Sequence, residues 1–149
     1  MAKSSKPRKA YKGRYVILNP MQVARANVMP LDDHGQALIK IKQSQAISNI
    51  CQGDGTREDW DVIAGTCNVA ILVSEAYFEK QYQAEIQAAK DAIICVKQRY
   101  KVHNRLGFKG DELKAINKLI LIAEEQAKQI TKKEYSRILD SLHNMRFAA

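Results

Sequence analysis

From Asp32 onward the apolar residues recur at every third or fourth position, and that period commits the chain to helices that bury one face each. Leu38, Ile41, Ile47, Ile50 and Cys51 fall near one face of the first stretch, which Gly53-Asp54-Gly55 ends. Thr56 then offers an N-cap. Glu58, Asp59 and Asp61 put negative charge into the first turn, and the stripe Trp60, Ile63, Ala64, Cys67, Ile71, Tyr77, Phe78 follows. The next stripe, Tyr82, Ile86, Ala89, Ile93, Val96, Tyr100, is spaced by four, three, four, three and four residues. No glycine or proline separates these two, but one continuous helix over 57–100 would exceed ordinary domain dimensions, which places a break near Glu79-Lys80. Lys101 to Gly110 reads as a loop, with Gly107 and Gly110 as punctuation. Asp111-Glu112 opens another helix with the stripe Leu113, Ile116, Ile120, Ala123, Ala127, Ile130. Thr131 and Glu134 have capping-box spacing, and Tyr135, Ile138, Leu139, Leu142 and Met145 give the last helix its buried face.

No strand alternation competes with this pattern, so the expected fold class is all-α: an up-and-down bundle of about five helices with short connections. The 149 residues fit one domain able to bury roughly two thirds of its unfolded surface. Ahead of the periodic region the sequence differs in kind. Residues 1–15 are too polar to bury and too self-repulsive to form an isolated helix, and read as a disordered basic arm preceding a helical domain over 16–149. Val16-Ile17-Leu18 reads as an extended staple ending at Asn19-Pro20, and Met21 to Val28 as one or two helical turns that Pro30 stops.

Several functional classes find no support. No apolar run approaches the roughly 18 residues of a membrane span, and no signal-peptide pattern is visible, so a cytoplasmic protein with no membrane association is expected. Cys51, Cys67 and Cys95 lie far apart without a C-x-x-C pair, and are expected to be reduced and mostly buried. His34, His103 and His143 have no histidine or cysteine partner at ligand spacing, so neither a metal nor a cofactor is expected. Capping and the helix dipole account for Asp32-Asp33-His34 and for Asp111-Glu112. The glycine pairs lack phosphate-loop patterns and read as turns, and without a nucleophile motif an enzyme is not expected.

The net charge of +8 is specific because of where it sits. Lys3, Lys6, Arg8, Lys9, Lys12 and Arg14 give residues 1–15 a charge of +6 with no acid, while the other 134 residues hold 18 basic and 16 acidic side chains. Tyr11 and Tyr15 interleave the cations, which suits phosphate neutralisation together with stacking on exposed bases. The alternative is a solubilising tail. A second basic run, Lys97, Arg99, Lys101, Arg105 and Lys109 with His103 among them, exceeds what dipole compensation at a helix C-terminus requires. Phe108 lies in a turn there, and is expected to fold back onto the bundle.

The opening Lys6-Pro7-Arg8-Lys9-Ala10-Tyr11-Lys12, then Asn19-Pro20, then a helical body with Trp60-Asp61-Val62-Ile63 through Asn68, resembles short uncharacterised helical proteins encoded by prophages and plasmids of proteobacteria. The resemblance implies an accessory protein of a mobile element in a bacterial or phage-infected cytosol, and brings no functional residues with it. Three functions follow as expectations. The first is a non-enzymatic nucleic-acid binder in which Lys3, Lys6, Arg8, Lys9, Tyr11, Lys12 and Arg14, with Lys97, Arg99, Lys101, Arg105 and Lys109, make mainly phosphate contacts. The second is a protein-binding module, a stoichiometric inhibitor of a host enzyme or defence system, that sets a basic surface against an acidic host protein. The third is a structural or self-assembling bundle whose apolar faces leave room for a homodimer.

Overall fold

The computed structural model describes residues 33–144, and the basic arm, the staple and the short proline-flanked turn read from residues 1–32 lie outside them. The described residues form five α-helices and no strand: α1 Asp33–Cys51, α2 Arg57–Tyr77, α3 Gln83–His103, α4 Gly110–Gln129 and α5 Lys132–Asn144. None is long and apolar enough to cross a membrane.

Helix α2 is the axis of the bundle, in contact with all four others. Its sequence suits that position. Ala64, Thr66, Cys67 and Ala70 are small enough to let neighbouring helices approach from several sides, while Ile63 and Val73 fill the space between them. The main core gathers Ile50 from α1, Ile63 and Cys67 from α2, Val96 from α3, and Ile116 and Leu119 from α4. Each fully buried isoleucine contributes about 2 kcal/mol through burial alone. Val73, Ile130 and Ile138 form a second cluster that docks α5.

Local signals explain the helix ends. Thr56 accepts from the Asp59 backbone N–H at 3.3 Å, and the Asp59 carboxylate accepts from the Thr56 N–H at 2.9 Å, a complete capping box. Thr131 and Glu134 repeat the arrangement at the start of α5. The break between α2 and α3 falls at residues 78–82, where Glu79, Lys80 and Tyr82 all adopt left-handed backbone without a glycine among them. Ser74 holds it: the buried hydroxyl donates to the Gln81 carbonyl at 2.6 Å, and the Ser74 carbonyl accepts from the Lys80 N–H.

Four expectations are corrected. Leu38 and Ile41 of α1 are about half exposed, because the helix turns Gln43, Ala46 and Ile50 inward instead. Gln43 is tolerated there since its amide donates to Thr66 Oγ1 at 3.1 Å. Helix α4 is likewise rotated, with Leu119, Ile122 and Gln126 fully inside rather than Ile120, Ala123 and Ala127. The Gln126 amide donates to the Ala70 carbonyl across the α2–α4 seam, which anchors that rotation. Helix α3 continues to His103, where Asn104 in left-handed conformation ends it, rather than stopping at Tyr100. Only Cys67 is buried: Cys51 and Cys95 are exposed, because neither lies on the face its helix presents to α2.

Candidate nucleic-acid interface

The second basic run becomes the end of α3, the connection 104–109 and the first residue before α4. Its members take different places. Arg99, His103, Arg105 and Lys109 line one cleft of about 580 Å³, whose opposite wall is the end of α1 with Cys51 and Gly53. Lys97 lies a turn away, its Nζ 5.2 Å from the centroid of the Trp60 ring, with the Arg57 guanidinium 6.0 Å from that centroid. The indole N–H donates to the Ile93 carbonyl, so Lys97 belongs to the α2–α3 seam. Lys101 is exposed and does not line the cleft.

Arg99 sets the shape of the cleft. Its guanidinium grips the Glu112 carboxylate with both terminal nitrogens, Nη1 to Oε2 at 2.7 Å and Nη2 to Oε1, and Nη2 also donates to the Gly107 carbonyl at 2.9 Å. Glu112 in turn accepts from the Lys109 backbone N–H at 2.8 Å. One buried ion pair therefore ties α3, the connection and the start of α4 together. The bond from Arg99 holds the Glu112 carboxyl below the usual glutamate range, against the opposing effect of burial, and the same contact raises Arg99. Arg99 is thus spent on the fold, which leaves Arg105 and Lys109 as the exposed cations of the cleft, with the exposed imidazole of His103 beside them.

Arg105 reaches across to the opposite wall. A Cβ placed on Gly53 would lie 2.9 Å from Arg105 Nη2, so the guanidinium rests directly on that residue's backbone. Gly53 also has φ of +86°, which a side chain would disfavour. Phe108, half-buried, packs against the main core and lines the cleft with Leu113, as a ring folded back onto the bundle. No carboxylate is among the described residues lining this cleft.

The sequence drew attention to the cations here but not to the rest of the lining. Cys51, Gly53 and Leu113 carry no local mark of a site, and Glu112, placed thirteen residues from its partner Arg99, was explained by the helix dipole. A second cavity of about 530 Å³ lies between α1, α2, α4 and α5, lined mainly by aliphatic side chains, with the Lys40–Glu124 pair at 3.4 Å among its few charges. The arm residues Lys3, Lys6, Arg8, Lys9, Tyr11, Lys12 and Arg14 lie outside the described residues. No known protein family, curated protein or solved structure matches the chain.

Proposed function

We propose that this is a non-enzymatic nucleic-acid-binding protein, an accessory of a phage, prophage or plasmid, that holds its partner mainly through phosphate contacts. The observation that carries this is the concentration of charge: +6 within residues 1–15, on a chain whose remaining residues net only +2. The cleft adds two exposed cations, Arg105 and Lys109, with no lining carboxylate to oppose them. Lysine and arginine bound to phosphates release condensed counterions, so affinity gained this way falls steeply with salt. The mobile-element setting rests on the resemblance of the sequence.

Gel-shift titrations at increasing salt test the reading. The six arm cations are replaced by glutamine in the full chain, and the variant should lose most of its affinity. Its log K against log salt slope should flatten by about 0.9 per duplex phosphate contact removed. An unchanged slope would sink the role of the arm.

A second reading, a stoichiometric inhibitor of a host enzyme or defence system, is favoured by the aliphatic cavity, which a partner's apolar side chains would fill. A pull-down from host lysate after nuclease treatment separates the two. A discrete protein that stays bound supports inhibition, whereas loss of everything on nuclease treatment supports nucleic-acid binding.

A further inference from the structure

We infer that the cleft between the end of α1 and the α3–α4 connection takes an unpaired base of a single strand, stacked on Phe108, with the adjoining phosphates at Arg105 and Lys109. This rests on the nucleic-acid reading above and narrows it to single-stranded partners.

The first argument is the make-up of the cleft. Its lining joins an apolar and aromatic part, Phe108 with Ile50, Leu106 and Leu113, to the exposed cations Arg105 and Lys109 and the exposed imidazole of His103. A flat surface alone would serve a phosphate backbone. A concavity lined by both an aromatic ring and cations matches a nucleotide whose base has left its stack, since every base has a face to lay on an aromatic ring. A duplex keeps its base faces stacked inside and offers only phosphates, sugars and base edges, so it would meet the cations and leave the ring unstacked. Arg105 and Lys109 bracket Phe108 in the chain, three residues before it and one after, and all three line the cleft.

The second argument is rigidity. Arg99 fixes Gly107 and Glu112, and Glu112 fixes Lys109, so the residues on both sides of Phe108 are held by hydrogen bonds before anything binds. Arg105 is held against Gly53 on the far wall. A preformed platform loses little freedom when a base settles on it. The same ion pair also counters the charge of Glu112, which is buried and held by Arg99, so that this carboxylate would oppose a phosphate little.

The test uses the full chain and fluorescence anisotropy with two probes, a short oligothymidine and a duplex of equal length. The single strand should bind more tightly. Phe108→Leu should weaken it about tenfold while leaving duplex affinity unchanged, and Phe108→Trp should retain single-strand affinity. Because Phe108 also packs on the core, the exposed Arg105→Gln provides a second variant outside the core, with its fold checked by a thermal melt against the parent, and it should weaken the oligothymidine several-fold more than the duplex. Equal affinity for both probes, with Phe108→Leu and Phe108→Trp alike, would overturn the single-strand inference and leave nucleic-acid binding standing. Absence of binding to either probe at low salt would overturn both.

Discussion

The two concavities of the bundle enclose similar volumes, about 580 and 530 Å³, yet they treat charge in opposite ways. The cleft at the α3–α4 connection holds four basic side chains, and a bidentate ion pair fixes its loop. The cavity between α1, α2, α4 and α5 is walled by Ile39, Val69, Val73, Ile130 and Leu142, and burial there raises the Tyr135 phenol above its ordinary pKa. One environment stabilises ionised groups and the other penalises them. Size therefore says little about what a depression is for. The chemistry of its lining does, and in the cleft that chemistry depends on a single bidentate clamp, Arg99–Glu112, whereas the Lys40–Glu124 pair at the other cavity is one exposed contact.

The clamp is the place to break this contrast. Glu112→Ala removes the buried half of the pair, leaves Arg99 with the Gly107 carbonyl alone, and should cost about 1–3 kcal/mol in urea denaturation at neutral pH. Lys40→Ala at the aliphatic cavity removes half of an exposed pair and should cost under about 0.5 kcal/mol. The pH dependence has a definite sign. The folded-state pKa of Glu112 is depressed, so its contribution is present above the unfolded glutamate value and is lost as pH falls through the folded one. The stability gap between the parent protein and Glu112→Ala should accordingly narrow in acid. A gap that stays constant down to strongly acidic pH would mean the ion pair is not what holds the connection.

Gly53 of the cleft and Gly65 of the aliphatic cavity should respond to alanine with opposite sign. At Gly53 the backbone is left-handed and the added methyl would displace Arg105, so Gly53→Ala should destabilise by about 1–2 kcal/mol. Gly65 sits inside α2 facing the aliphatic cavity, where a Cβ would meet nothing within 4 Å. There the substitution relieves the helix of its most flexible residue and should stabilise by about 1 kcal/mol. Thermal melts of both variants check the pair. Shifts in the same direction would show that the two linings are not mechanically distinct.

What the sequence made legible follows the same division between local and distant information. The α3 stripe Ile86, Ala89, Ile93, Val96 is buried as its spacing predicts, and both threonine caps close their boxes, because each signal involves residues within a turn or two of one another. The break after Tyr77 was inferred from length alone; its cause, Ser74 reaching to Gln81, has no motif. The faces of α1 and α4 were misjudged because buried polar residues set them. Gln43 with Thr66, Gln126 with Ala70 and Glu112 with Arg99 pair across helices, and no periodicity of apolar residues registers such contacts. In the cleft the cations were visible as a run, whereas Gly53, Cys51 and Leu113 join them only through the packing of α1 and α4.

The smallest effect, one that leaves stability untouched, comes from the three thiols. Burial pushes the Cys67 thiol up to about 11, partly offset by Lys90, so it should resist alkylation until the bundle unfolds. Cys51 and Cys95 are exposed and should both react in the native protein, as peptide mass mapping would show. They differ in position: Cys51 lines the cleft and Cys95 does not. If an oligothymidine occupies the cleft, it should slow labelling of Cys51 while Cys95 continues at its free rate. Equal slowing of both would point to a partner spread over the bundle surface, and slowing of neither, with binding still measured by anisotropy, would assign that binding to the arm. The comparison thus separates the two basic regions without altering a residue of either.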